Sequence, residues 1–126
     1  MARKPFTNDM YGKPKLSWKN NPAFKTLLAR YKSGAYSRRL KFNLSDKRFH
    51  ELTADECHYC GIKPFRYIDK NGYRYTYNGI DRIDSNEGYV EGNVVSCCTE
   101  CNKMKLDMRY DVFMKQIKNI YNRLCS

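Results

Sequence analysis

Two Cys-x2-Cys steps, at Cys57 and Cys60 and again at Cys98 and Cys101, constrain this 126-residue chain more than any other feature. Each step sets two thiols on one tight turn, and two such turns from separate segments suit tetrahedral Zn²⁺. Nothing resembling an apolar secretory segment follows the opening MARKPF, so among the six cysteines the paired CxxC steps read as metal ligands rather than disulfides. Cys97 is an alternative to Cys98, but a Cys-x3-Cys knuckle is the less favourable one. Cys97 and Cys125 are then free thiols, and His58 is a surface residue inside the first knuckle. Four ligands supplied by protein leave no open position on the ion, so this zinc is structural. The intervening residues 61–97 exceed what a minimal zinc ribbon needs and leave room for a hairpin and a functional loop.

Charge divides the chain unevenly. Residues 1–49 carry 13 Lys+Arg against 2 Asp+Glu, whereas residues 50–126 carry 11 of each, so the whole net charge of +11 lies upstream of the cysteines. A basic segment on a neutral body predicts a grip on a polyanion, with a phosphate backbone as partner; a solvated basic tail is the bland alternative. Mean hydropathy is −0.81, and no apolar run approaches the roughly 20 residues needed to span a bilayer. The expectation is a soluble, intracellular protein of one small domain with an extension.

Residues 1–20 lack periodicity and contain Pro5, Gly12 and Pro14, which predicts a loose basic arm. Asn21-Pro22 is a helix start, with Asn as cap and Pro at the first position. Phe24, Leu27, Leu28 and Tyr31 then form one apolar stripe. A second helical piece is expected after Gly34, carrying Arg38, Arg39 and Lys41. Ser45 caps the next helix, whose core contacts are Leu44, Phe49 and Leu52. Period-two patterning in FRYID and YRYTY, on either side of Asn71-Gly72, predicts a β-hairpin; its tyrosines serve cross-strand packing, or stacking on nucleic acid. Residues 111–124 form an amphipathic helix, with Phe113, Ile117, Ile120, Tyr121 and Leu124 expected to close the core.

Residues 78–105 read NGIDRIDSNEGYVEGNVVSCCTECNKMK. An Asp-Arg pair ends one strand-like run, an Asn opens a second, and a CxxC-Asn step leads into a short helix. In order and spacing this stretch resembles the ββα-metal core of HNH endonucleases. The variant is the phage-type and rare-cutting restriction form, where Asp-Arg replaces Asp-His and CxxC-Asn replaces the final His. The likeness extends over residues 35–120, through Ala35, Arg38, Leu40, Phe42 and Leu44, and departs at Arg39, where the family often has Gly.

The resemblance implies an α+β fold: a ββα-metal core with a four-cysteine zinc site over residues 55–126, a C-terminal helix, a basic helical extension over 21–54 and a flexible arm over 1–20. It implies hydrolysis of DNA phosphodiesters with Mg²⁺ or Mn²⁺ held by Asp81 and Asn102. Asn93 would tie the connecting loop to its strand. Arg82 stands where most of the family carry the general-base His. Arginine stays protonated, so it would clamp the phosphate while another group activates water; Tyr36, His50 and His58 are the candidates. Arg30, Arg38, Arg39, Lys41, Lys103 and Lys105 would contact DNA, with ion pairing as the other role for Lys103 and Lys105. A homodimer and a phage or mobile-element origin are compatible with the same resemblance. The competing expectation is a non-catalytic, zinc-dependent DNA-binding or regulatory module.

Overall fold

The computed structural model describes residues 16–125; most of the arm expected over 1–20 lies outside them. A 3₁₀ turn at Trp18–Asn20 precedes α1 (Pro22–Ser37), α2 (Asp46–Ala54), the strands β1 (Arg66–Lys70), β2 (Tyr73–Tyr77), β3 (Gly79–Arg82) and β4 (Val94–Cys97), and the helices α3 (Thr99–Lys105) and α4 (Tyr110–Leu124). The strands form two separate antiparallel pairs, β1 with β2 and β3 with β4.

Local chemistry explains most of the boundaries. The Asn21 carboxamide accepts the Ala23 amide at 2.8 Å, and Pro22 loses nothing in the first turn, where its missing N–H would have no partner. The same Asn21 donates to the Arg74 carbonyl on β2 at 3.1 Å, so a buried helix cap also docks the hairpin. Ser45 Oγ accepts the Arg48 amide at 3.0 Å. The hairpin turns on Asn71 and Gly72, at φ 54° and 80°. These left-handed values are the ones a two-residue turn between right-twisted strands demands.

The helix expected to begin afresh after Gly34 does not do so. α1 runs through Gly34 to Ser37, because a mid-helix glycine costs only about 1 kcal/mol and Ala35 is buried on the same helix. The chain then turns at Arg39, φ 57°, and becomes extended. Phe42 forms a parallel bridge with Tyr89, the Tyr89 amide donates to the Lys41 carbonyl, and Asn43 donates back to Tyr89. Gly88 permits this approach: a Cβ there would lie 2.1 Å from the Lys41 carbonyl oxygen.

One core draws on both halves of the chain. Ala23, Phe24, Leu27, Leu28, Leu44, Phe49 and Leu52 pack with Ile68, Tyr75, Ile80, Tyr89 and Val94. Tyr75 meets the Phe24 ring edge-on at 5.1 Å, and its hydroxyl is hydrogen-bonded by His50 and Thr53. Across the hairpin, Arg74 forms a two-pronged pair with Asp69 and lies 3.4 Å from the centre of the Tyr67 ring. Tyr67 and Phe65 are exposed, so only part of the aromatic face packs inward. α4 departs from expectation too. Phe113 is its one buried residue among those described, while Ile120, Tyr121 and Leu124 face solvent; the helix does not close the core.

Candidate metal centre and cleft

The strands β3 and β4 and helix α3 form a compact ββα unit, and both candidate sites sit on it. Its first part is the thiol cluster. Sulfur atoms of Cys57, Cys60, Cys98 and Cys101 all lie within 4.8 Å of one another. Cys60 and Cys98 are 3.7 Å apart, close to the roughly 3.8 Å edge of a tetrahedron with 2.3 Å metal–sulfur bonds. The residues present therefore fit a thiolate-bound ion such as Zn²⁺. Cys97 packs beside these cysteines with its thiol donating to the Cys98 carbonyl, but Cys98 is the sulfur that joins the four-thiol cluster.

The knuckles are secured by buried polar side chains. Asn78 donates to the carbonyls of Asp55 and Ile62, Ser96 donates to Asp55, and the Cys57 amide donates to Ile62. Burial raises the Cys98 and Cys101 thiols. Burial also opposes ionisation of Cys57, but backbone N–H groups of Cys60, Cys98 and Tyr59 outweigh it and bring its pKa down to about 6. Binding an ion such as Zn²⁺ would draw protons from these thiols.

The second part is a cleft of about 420 Å³ lined by Asp81, Arg82, Asn102, Lys103, Arg38, Tyr31, Tyr89, Ser85 and Asp107, among others. β3 brings Asp81 to it, paired with Val95 in the strand register. α3 brings Asn102, the residue next to Cys101. Asp81 is 5% exposed; its Oδ2 accepts the Tyr59 hydroxyl at 2.7 Å. Burial, and then this bond to Asp81, hold the Tyr59 phenol well above its usual pKa, so it remains a donor. Burial likewise pushes Tyr31 up to about 12, and its hydroxyl oxygen accepts the Ile80 amide at 3.1 Å.

Lys105 requires a correction. As a DNA contact it would need solvent, yet it is 0% exposed. Its Nζ lies 3.2 Å from Asp81 Oδ2 and 3.4 Å from Oδ1, and donates to the Arg82 carbonyl at 3.2 Å. A buried ammonium needs a counter-charge, and Asp81 supplies it. Lys103, two residues earlier and exposed, lines the cleft.

Arg82 turns into the loop after β3. Nη1 donates to the carbonyls of Ser85 and Glu87, and the guanidinium lies 5.4 Å from the Tyr89 ring centre. Its Nε and Nη2 make no hydrogen bond among the described residues. Asn93 grips the same loop: its Oδ1 accepts the Asp84 amide at 2.8 Å, and its Nδ2 donates to the carbonyls of Asp84 and Gly88.

Arg30, Arg38, Arg39 and Lys41 are exposed, and Arg38 also donates to the Tyr89 hydroxyl at 3.0 Å. The three candidates for a general base do not line the cleft. His50 stacks on Trp18 at 4.7 Å; His58 is hydrogen-bonded to Tyr110; Tyr36 is 86% exposed. Tyr59 and Asp107, which sequence reasoning missed, are beside Asp81 and at the cleft. Tyr59 sits inside the first knuckle, a position that could have flagged it. Asp107 carried no local signal beyond closing the α3 segment.

Searched against family models, the chain matches none. It is 38% identical over 93 residues to an uncharacterized protein of Acanthamoeba polyphaga mimivirus; the match covers 74% of this chain but 16% of that relative. Among solved structures it is similar to the rare-cutting HNH restriction endonuclease PacI, with a TM-score of 0.56 and 19% identity, over 87% of this chain and 91% of that one. At that identity the likeness is one of fold, and the small α+β architecture is HNH-like. No helix among the described residues is long and apolar enough to cross a membrane.

Proposed function

We propose that the chain is a metal-dependent HNH endonuclease that hydrolyses DNA phosphodiester bonds, in the variant where Asp-Arg stands for Asp-His. The observation that carries this reading is the shared cleft: a buried carboxylate, Asp81, and an amide, Asn102, line one opening beside a four-thiol cluster. The fold likeness to a restriction endonuclease supports DNA as substrate. So does the concentration of positive charge in residues 1–49.

In this reading Zn²⁺ on the four thiolates fixes α3, and with it Asn102. Asp81 and Asn102 are hard oxygen donors lining one cleft, a donor type that suits Mg²⁺ or Mn²⁺. Bound there, such an ion supplies Lewis-acid stabilisation of the leaving oxygen. Arg82 Nε and Nη2, which make no hydrogen bond among the described residues, would bind the phosphate and stabilise its gathering charge, a role whose loss typically costs about 10²–10³ in rate. Asn93 holds the loop that anchors Arg82. Arg38 and Lys103 bind backbone phosphates at the cleft, and Arg30, Arg39 and Lys41 extend the grip along the exposed basic face. Asp107 is the other carboxylate lining the cleft and the group we assign to accept a proton from water.

Purified zinc-loaded protein should nick or cut plasmid DNA in Mg²⁺ or Mn²⁺. Asp81→Ala should abolish cutting while one zinc per chain remains by metal analysis. Cutting by that variant at the wild-type rate would reject the site. A second reading, a zinc-dependent DNA-binding module without catalysis, draws on the Lys105 ammonium that neutralises Asp81. Zinc as the only metal bound, with no cleavage under any divalent ion, would select it.

A further inference from the structure

We propose that Tyr31 and Arg66 form a second phosphate subsite, on the hairpin side of Asn102, which holds the phosphodiester next to the scissile one in the bound DNA strand. The inference rests on the nuclease reading of the cleft and extends it to a residue of the β1–β2 hairpin.

A smaller cavity of about 130 Å³ adjoins the cleft. The two share Tyr31, Ile80 and Asn102 as lining residues. Strand β3 contributes to both: Gly79 lines the small cavity, Ile80 lines both, and Asp81 and Arg82 line the cleft. Gly79 and Asp81 are two residues apart, about 7 Å along a strand, the scale of one nucleotide step. Arg66, Tyr77, Cys97 and Thr99 complete the small cavity, and no carboxylate lines it. A donor-rich wall without acid suits an anion.

Two of its groups have hydrogen-bonding capacity left over. The Tyr31 hydroxyl oxygen accepts the Ile80 amide, and its own proton meets no acceptor among the described residues. Burial holds that phenol at about 12, so it stays a donor through the neutral range. A largely buried donor without an acceptor is costly unless a ligand or water meets it. A Cβ at Gly79 would lie 3.0 Å from the same oxygen, so glycine keeps the approach to the hydroxyl clear. Arg66 is exposed and sits opposite Tyr77 in the hairpin register. Its Nη1 donates to Thr99 Oγ1 at the start of α3, which fixes the guanidinium at the cavity wall. Nε and Nη2 make no hydrogen bond among the described residues, and a planar guanidinium held at one nitrogen keeps the paired donors that phosphate oxygens accept. A merely solvated arginine would account for the exposure of Arg66 but not for the unmatched phenol that lines the same cavity.

The test uses zinc-loaded protein and duplexes carrying one methylphosphonate, an uncharged phosphate, at either position flanking the mapped cut. For wild type, replacing one of the two flanking phosphates should slow single-turnover cutting about 10-fold, the loss of a charge-assisted contact. In Arg66→Gln the same replacement should cost less than about twofold, because its partner is already gone. An Arg66 that only links the hairpin to α3 would instead give additive losses at both flanking positions, and that result overturns the proposal. Binding is read separately, by fluorescence anisotropy on unmodified duplex without Mg²⁺ or Mn²⁺. Arg66→Gln should lower the slope of log affinity against log salt by about 1. Tyr31→Phe should weaken binding about fivefold with the slope unchanged, since no charge is lost. A Tyr31→Phe affinity equal to wild type also overturns the proposal; should that variant not fold, Arg66→Gln, a change at an exposed side chain, decides alone. Wild type that binds DNA but cuts none with any divalent ion would sink the nuclease reading alone. A lowered slope in Arg66→Gln would then keep the subsite as a DNA contact, and a slope equal to wild type would strike it out too.

Discussion

Leu106 ends α3 at φ 53° and ψ −127°, a conformation in which glycine is at ease and a leucine is strained by about 1–3 kcal/mol. Its side chain is 71% exposed, so little packing would be lost on removing it. Leu106→Gly should raise the melting temperature by about 2–4 °C, the net of strain relief and added freedom in the unfolded chain. A lower melting temperature in calorimetry would show that Leu106 is held by contacts rather than against them. Gly88 is the opposite case. Gly88→Ala drives a methyl into the Lys41 backbone and should cost about 2 kcal/mol or more, read as a drop in the urea midpoint. These two positions mark the limit of what residue types announce. The CxxC steps could be read in the sequence because thiol spacing alone limits the geometry, and the choice of Cys98 over Cys97 followed from knuckle size. The contact of Lys105 with Asp81 could not, since it joins groups 24 positions apart. Lysine beside a metal-ligand motif reads as a phosphate contact until burial is known.

Elements were most legible where the signal is local. Asn21-Pro22, Ser45 and Asn71-Gly72 each fix backbone dihedrals within a few residues, and helix starts and turn appear there. Gly34 misled because the penalty of one glycine is smaller than the packing gained by extending α1. The α4 stripe misled differently: periodicity shows that a helix has an apolar side, not that another element covers it. α2 carries a pH-dependent term. His50 lies against Trp18 and Phe24, and burial lowers its pKa from 6.5, opposed weakly by Glu51. Because the unfolded chain binds that proton more readily, stability is fully present above pH 6.5 and declines as pH falls through the folded-state value. Chemical denaturation of wild type and His50→Gln between pH 7.5 and 5 should show a shallower acid loss in the variant. An equal loss would assign the effect elsewhere. With an ion on the four thiols, the ββα unit would answer to metal instead. A structural zinc site is worth roughly 10–16 kcal/mol, comparable to a whole domain's roughly 5–15 kcal/mol. Strong chelation should therefore release α3 and the β3–β4 pair, seen as lost circular dichroism that Zn²⁺ restores.

At the scale of the molecule, charge and core are arranged on different plans. The positive excess lies in residues 1–49, so DNA affinity should fall by about 10³-fold between 50 and 200 mM salt if six phosphates are engaged; a flat response in fluorescence anisotropy would remove the grip assigned to that segment. The apolar interior ignores the same boundary. Phe24, Leu27 and Phe49 interlock with Tyr75, Ile80 and Tyr89, and the Lys41–Tyr89 backbone bonds stitch the basic segment to the Arg82 loop. Recombination between homologues at the junction near residue 54 would therefore inherit mismatched halves of one interior, even where each parent is sound.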